Sequence, residues 1–172
     1  FVKEIIQSMI ENAKLVPKIT VIKEGIDYQY CNIYRDFSLG NYYIAASDVG
    51  TGVGKDFNAT VIIDVKTGVV VADILDNTLP PDKFAYHNVQ LLGVYLNPLW
   101  YPESNLWGSQ MIKKALELNY KRIGTRDVEG KKKGWFTDEK TRIELFGAVI
   151  PAINNWQLSI FNVAGLGQCR DL

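Results

Sequence analysis

The chain has 172 residues, 47% of them apolar, and this length predicts a single domain with a sizeable core. Nineteen basic residues balance nineteen acidic ones, which excludes binding of nucleic acid through overall charge, so any DNA contact needs a local patch. Two cysteines and one histidine are too few for a Cys/His zinc site or a disulfide framework.

The first stretch of the chain has the spacing of an amphipathic helix. Apolar residues recur on one side of residues 1–15, and Pro17 follows them. We therefore expect residues 1–40 to form an N-terminal helix and a lead-in segment. No run approaches the roughly 20 apolar residues of a membrane-spanning helix, and the first residues lack the layout of a signal peptide, so we expect no membrane partner.

Three strand-like runs follow, and the first of them leads to an acid. Residues 41–46 read NYYIAA, a β-branched and aromatic run that continues into Asp48 and a glycine-rich turn. Residues 60–64 and 69–75 are two further runs, separated by the turn residues Lys66-Thr67-Gly68. These runs predict an antiparallel three-strand meander.

After two consecutive prolines the pattern changes to alternating helices and short strands. The predicted elements are a helix that begins near Asp82, a strand at 99–101 closed by Pro102-Glu103, a helix at about 108–118, a strand at 122–124, a basic loop, and a helix at about 141–150. This order predicts an α/β fold with a mixed five-stranded sheet, in which the meander is joined by parallel strands and flanked by helices. The fourth strand is expected to return parallel beside the first.

Two acids mark the ends of strands that are predicted to be neighbours. Asp48 follows the first strand and Glu103 follows the fourth, so parallel pairing would place both carboxylates at one rim of the sheet. An aspartate before glycines is more often a turn former, and a loop glutamate is often only solvated, but pairing across the sheet favours a site. Oxygen ligands of this kind suit Mg²⁺ or Mn²⁺, and two such ions roughly 3.5–4 Å apart can hydrolyse a phosphodiester.

The same residues carry a resemblance to a known family. Residues 43–64, YIAASDVGTGVGKDFNATVIID, resemble the first metal-binding segment of the nuclease domain of phage terminase large subunits. The similarity continues in order through PDKFA from Pro81, GVYLN from Gly93, YPESNLWG from Tyr101, and GWFT from Gly134 with Lys140-Thr141. The third of these resembles the family's second acidic motif, Glu-x-Asn-x-x-Gly, and the last resembles its Gly-Trp-x-Thr segment. Together the segments span about residues 41–172.

The resemblance implies an RNase H-like (RuvC-like) nuclease domain over residues 41–172. Such a domain is a Mg²⁺- or Mn²⁺-dependent endodeoxyribonuclease that uses two ions to cut concatemeric double-stranded viral DNA during packaging. Asp48 and Glu103 would be its catalytic metal ligands. The family's third acid comes from an Asp-Asp pair in a C-terminal helix.

In the family this pair usually comes after a segment similar to residues 168–172, and this sequence contains no such pair there. We therefore expect the third acid beyond Leu172, with the domain cut short at its C-terminus. Asp171 is a substitute within the chain. Asp56, in the same turn as Asp48, is a candidate to contact a second metal through water, although a turn-forming or capping role is the more common one at such a position.

The resemblance also implies partners and a location. They are double-stranded DNA and, in the parent protein, an ATPase motor domain, the small terminase subunit and the capsid portal, in the cytoplasm of the infected bacterial host. The isolated domain is expected to be a monomer. The candidate DNA contacts combine cations with an aromatic ring, although lysine runs are also typical of solvated loops: Lys131, Lys132, Lys133, Trp135 and Lys140.

Other function classes remain open at this point. The strand-Asp-x-Gly-Thr-Gly pattern also resembles the first phosphate motif of actin-like and sugar-kinase lobes, although those proteins need two lobes. A Holliday-junction resolvase would share the carboxylates, and a catalytically inactive module of the same fold would bind DNA or the portal. A P-loop is excluded, because Val49 and Asp56 stand where that motif requires Gly and Ser or Thr.

Overall fold

The architecture is described from a computed structural model, which covers residues 1–52, 54 and 56–171. Lys55 of the Gly-Lys-Asp segment and Leu172 lie outside these described residues. The elements in chain order are α1 (Lys3–Lys14), β1 (Cys31–Ile33), β2 (Tyr43–Asp48), β3 (Asn58–Asp64), β4 (Val69–Asp76), α2 (Pro81–Val94), β5 (Leu99–Pro102), α3 (Trp107–Glu117), α4 (Glu139–Asn154) and α5 (Val163–Arg170). None of the helices described is long and apolar enough to cross a membrane.

The five strands form one mixed sheet in the order β1-β4-β3-β2-β5. β2, β3 and β4 make an antiparallel meander, and β5 pairs with β2 in parallel. These pairings confirm the predicted mixed sheet and the return of the fourth predicted strand beside the first. In the parallel pair Ser47 lies opposite Pro102, and in the antiparallel pair Asp48 lies opposite Ala59.

The fifth strand differs from the predicted one. Residues 122–124 contribute only a single parallel bridge, between Trp100 and Ile123. Gly124 packs so closely on the ring of Tyr101 that a Cβ there would lie 2.3 Å from a ring carbon, and the chain then turns away into a loop. The fifth position is taken instead by β1, which pairs antiparallel with β4 and lies within the predicted lead-in segment.

Alternation along β2 assigns its side chains to two faces of the sheet. Ala45 and Ser47 are buried on the face covered by α2, whereas Ala46 and Asp48 are exposed on the opposite face. The buried face carries a chain of polar contacts. Trp100 Nε1 donates to Ser47 Oγ (2.8 Å), the Ser47 and Thr60 hydroxyls are 2.7 Å apart, and Thr60 Oγ1 donates to Asn88 Oδ1 of α2 (2.7 Å). These hydrogen bonds satisfy the buried polar groups, and the bond between Trp100 and Ser47 also fixes how β2 and β5 align.

A second, smaller core joins α1 to α5. Ile6, Met9 and Ile10 of α1 pack with Leu166 of α5, and all four side chains are buried. The start of α5 is connected to the sheet through Asp73, a buried residue of β4. The Asp73 carboxylate accepts hydrogen bonds from Asn162 (2.9 Å), Asn32 (2.8 Å) and Tyr34 (2.9 Å). Burial raises the pKa of Asp73, and these three donors oppose the shift.

Candidate metal centre

The two strand-end acids meet at one rim of the sheet. The amide of Glu103 donates to the carbonyl oxygen of Ser47 over 2.7 Å, which continues the β2–β5 pairing by one residue. Because Pro102 lies opposite Ser47, the next residues, Glu103 and Asp48, are adjacent on the same face. Their carboxyl groups are close enough to interact directly.

Contact between the two acids changes the acidity of Asp48. Its pKa is raised to about 6, first because surrounding protein atoms exclude water from the carboxyl, and then because Glu103 hydrogen-bonds to it and adds a negative charge. A backbone hydrogen bond from Val49 and the positive charge of Arg142 act in the opposite direction. Near neutral pH the pair therefore concentrates negative charge at an accessible rim.

The chemistry of this donor set fits a hard divalent cation. Two carboxylates in contact supply only oxygen ligands, which is the preference of Mg²⁺ and Mn²⁺, and a bound cation would relieve the repulsion between them. Asp48 and Glu103 are the residues that would hold the ion. Within the residues described, no group of three or more Asp, Glu, His or Cys side chains is placed to bind a metal.

The loop that carries Glu103 is held by close backbone packing. A Cβ on Gly108, in the first turn of α3, would lie 1.8 Å from the carbonyl oxygen of Glu103. On the other side, Gly134 has φ +79°, and a Cβ there would lie 2.4 Å from the carbonyl oxygen of Pro102. Trp135 continues this contact, because its amide donates to Pro102 O (2.7 Å) and its carbonyl accepts from the Ser104 amide (2.6 Å). Both glycines are therefore required for the position of the acid.

The asparagine of the Glu-Ser-Asn segment ties this loop to the start of α4. Asn105 Nδ2 donates to Thr137 O (2.7 Å), and Asn105 Oδ1 accepts from Thr137 N (3.0 Å). The next residue, Asp138, caps α4, since its side chain accepts from Thr141 N (2.8 Å) while Thr141 Oγ1 accepts from Asp138 N (2.9 Å). This arrangement brings Arg142, in the first turns of α4, within electrostatic range of Asp48.

The two further candidate acids, Asp56 and Asp171, do not join the pair in a metal-binding group among the described residues. Asp56 is exposed on the turn after β2, and its backbone carbonyl packs against Gly50, where a Cβ would be 2.9 Å away. Asp171 caps the C-terminal end of α5 and contacts Arg170 (Oδ1 to Nε, 3.3 Å). Neither forms a three-acid cluster with Asp48 and Glu103 in the part of the chain that the structure describes.

The predicted DNA contacts divide into two groups. Lys131, Lys132 and Lys133 lie on the loop beside β5, where Lys131 pairs with Glu129 (2.5 Å), and Lys140 is exposed on α4, 3.9 Å from Glu144. Trp135 is only partly exposed, and its indole Nε1 is buried without a hydrogen-bond partner in the described residues. Its backbone contacts position the Glu103 loop. DNA contact by these residues stays a prediction.

Sequence reasoning did not single out the two arginines beside the pair. Arg142 directly follows Lys140-Thr141. A cation in the first turns of the predicted helix after the GWFT segment was the feature of the sequence from which its role could have been inferred. Arg126 lies in the basic loop, but no periodicity marks it. Its Nη1 is 3.2 Å from Ser104 Oγ, next to Glu103.

With this geometry in place, comparison with solved structures identifies the fold. The large terminase nuclease of thermophilic phage G20c with bound magnesium superposes with a TM-score of 0.70 at 12% identity, covering 96% of this chain and 78% of that one. The zinc-bound form of the same nuclease gives 0.68 at 11% identity (96% and 88%), and the cobalt-bound form gives 0.62 at 11% (89% and 71%). The sequence matches no family model and no curated protein. The chain therefore has the RNase H-like fold of large terminase nuclease domains.

Proposed function

We propose that this chain is the nuclease domain of a viral DNA-packaging terminase and that it hydrolyses phosphodiester bonds of double-stranded DNA with a divalent cation. The observation that carries the proposal is the contact between Asp48 and Glu103 at the rim of a sheet with this fold. Two carboxylates in contact are unfavourable without a cation, and a rim open to solvent admits a large substrate.

The roles of the residues follow from this geometry. Asp48 and Glu103 hold the cation, which when bound activates water and stabilises the leaving oxygen of the phosphodiester. We propose Mg²⁺ or Mn²⁺ as the metal and a pair of ions at full occupancy, with a third acidic ligand from beyond Leu172. Asn105 and Gly108 position the Glu103 loop.

The biological setting belongs to the same proposal. The substrate is concatemeric viral DNA in the cytoplasm of an infected bacterium, and the parent protein contains an ATPase motor domain that works with a small terminase subunit and the capsid portal. The superposed G20c proteins are described as large terminase nucleases with bound metals, and that description supports this setting. The isolated domain is proposed to be a monomer.

Plasmid cleavage tests the proposal. The wild-type chain is expected to nick and linearise supercoiled plasmid in Mg²⁺ or Mn²⁺ but not in EDTA, with little sequence preference. Asp48→Asn and Glu103→Gln are expected to slow cleavage by at least about 100-fold, because loss of a metal ligand removes several kcal/mol of transition-state stabilisation. Glu117→Gln is the matched control, since Glu117 is exposed on α3 and pairs only with Lys114 (3.3 Å) in the described residues.

The outcomes separate the alternatives. Cleavage at the wild-type rate by both acid variants, with melting temperatures unchanged, would contradict the site. A DNA mobility shift without cleavage in any divalent metal, even with residues added beyond Leu172, would favour an inactive binding module of the same fold. A rise in melting temperature with ATP would favour the nucleotide-binding lobe instead.

A further inference from the structure

Arg126 is held against the loop that carries Glu103 by neutral groups. Its guanidinium Nη1 donates to Ser104 Oγ over 3.2 Å, and its Cζ lies 5.0 Å from the centre of the Phe136 ring. Ser104 in turn donates its hydroxyl proton to Trp135 O (2.9 Å), so its oxygen is oriented to accept from the arginine. A hydrogen bond and a cation–π contact together restrict a side chain that is otherwise exposed.

The charge of Arg126 is not neutralised by its neighbours. Among the described residues no carboxylate forms an ion pair with it. The acid next to it, Asp127, uses its carboxylate to accept from the amides of Lys132 (2.7 Å) and Lys131 (3.2 Å), and these bonds close the loop. The amide of Arg126 donates to Lys132 O (3.1 Å) across the same loop. A guanidinium that forms no ion pair among the described residues therefore lies next to Ser104, in the loop that carries Glu103.

We propose that Arg126 binds a backbone phosphate of the DNA strand that flanks the phosphate held at Asp48 and Glu103. This inference rests on the nuclease function proposed above and names a substrate contact for it. Arginine suits the role because its planar fork can bond a phosphate through the nitrogens that Ser104 leaves free. Its partner Ser104 directly follows Glu103 in the chain, so this hydrogen bond ties the arginine to the loop that carries the acid.

DNA binding measured without cleavage tests the contact. A short fluorescein-labelled duplex is titrated in Ca²⁺, which occupies oxygen-ligand sites in place of Mg²⁺, and binding is followed by fluorescence anisotropy. The titration is repeated at about 50 to 200 mM NaCl, a range over which phosphate contacts change affinity strongly. Arg126→Ala is expected to weaken binding roughly tenfold, as loss of a charged hydrogen bond would. The slope of log K against log salt is expected to fall in magnitude by about 0.9, the value for one phosphate contact.

Arg35 offers a matched control at the far edge of the sheet. It follows β1, and its Cζ lies 5.9 Å from the ring of Phe161, so Arg35→Ala removes the same charge and a similar stacked contact. That variant is expected to bind DNA with the wild-type salt slope. Arg126→Lys keeps the charge, and it is expected to retain the slope while losing part of the affinity. Phe136→Leu is expected to weaken affinity a few-fold at constant slope, because it only loosens the guanidinium.

The results distinguish this inference from the proposed function. An Arg126→Ala slope equal to wild type, in a protein that binds and cuts DNA, would overturn the phosphate contact alone. A reduced slope in a protein that binds DNA but does not cut it, even with residues added beyond Leu172, would support the contact and contradict the nuclease. Absence of DNA binding by the wild-type chain would overturn both. In cleavage assays Arg126→Ala is expected to raise KM more than it lowers kcat.

Discussion

The amide nitrogen of Glu103 lies 2.7 Å from the carbonyl oxygen of Ser47, so the residue before one acid is hydrogen-bonded to the other acid itself. This bond belongs to the parallel β2–β5 ladder, which is set by backbone geometry and by the buried side chains of the strands. The sheet therefore brings Asp48 to Glu103 whatever their charge. Favourable strand pairing offsets the unfavourable contact between the two negatively charged carboxylates. A bound cation would relieve this repulsion, which favours cation binding at the pair.

Replacement of Glu103 is expected to change the titration of Asp48. In Glu103→Gln the negative charge is lost, so the pKa of Asp48 should fall from about 6 toward its ordinary value of 3.8. A carboxyl with a raised native pKa contributes stability that is present below the unfolded pKa and lost as pH rises through the native pKa. The variant should therefore gain stability over wild type as pH increases from about 4 to 7, by about 1 kcal/mol after screening by solvent.

Carboxyl-carbon NMR and urea unfolding at several pH values measure these two effects. Glu117→Gln on α3 is the control, and it should leave the Asp48 titration unchanged. Equal Asp48 midpoints in Glu103→Gln and wild type would show that the two carboxyl groups do not interact in solution.

Addition of Mg²⁺ or Mn²⁺ should stabilise the wild-type fold. A ligand that binds only the native state contributes about 2.7 kcal/mol at 100 times its Kd, and the melting temperature should rise accordingly. The effect should shrink below about pH 6, because protonation of Asp48 competes with the cation. Differential scanning fluorimetry of wild type and Asp48→Asn measures it. An equal rise in both proteins would place the bound cation elsewhere.

Removal of the Arg142 charge should act in the opposite direction to removal of Glu103. Arg142 lowers the pKa of Asp48, so Arg142→Ala is expected to raise it further above its ordinary range. The same change removes a positive charge from the surroundings of a bound cation, so Mg²⁺ affinity at pH 8 should increase a few-fold. Lys140→Ala, two positions earlier and 3.9 Å from Glu144, is the matched control. An unchanged Asp48 titration in Arg142→Ala would contradict the electrostatic contact.

Periodicity was sufficient for the longer elements and insufficient for the short ones. β3 and β4 are strands of seven and eight residues rich in β-branched side chains, and α2 begins at a proline with a clear change of period, so their existence is visible in sequence. β1 has only three residues, and its partner strand lies some forty positions later, so no local pattern marks it. α5 contains two glycines and depends on packing of Leu166 against α1, a tertiary effect that helix propensity opposes.

The site divides along the same line. Adjacency of Asp48 and Glu103 follows from strand ends and parallel pairing, both of which are sequence-level inferences. The surroundings of the pair come from a loop region whose shape depends on individual hydrogen bonds, such as those between Asn105 and Thr137. Bonds of that kind follow no repeating sequence pattern, so the approach of Arg142 to Asp48 and of Arg126 to Ser104 is visible only in the structure.

Gly108 is expected to be indispensable for the position of Glu103. A methyl group there would lie 1.8 Å from the Glu103 carbonyl oxygen and 2.7 Å from its carbonyl carbon, and both atoms belong to the backbone. Gly108→Ala should therefore displace the acid by about 1 Å, which is enough to slow cleavage on the order of 100-fold. Overpacking of this kind costs about 1–3 kcal/mol, partly offset by the better helix propensity of alanine.

Gly147 in α4 provides the matched substitution, because a Cβ there meets no atom within 4 Å. Gly147→Ala should stabilise the protein by about 0.5–1 kcal/mol and leave plasmid cleavage unchanged, since only helix propensity is altered. Urea unfolding and initial nicking rates of the two variants measure the contrast. If Gly108→Ala matched Gly147→Ala in both assays, the close approach of α3 to the Glu103 carbonyl would not be what positions the acid.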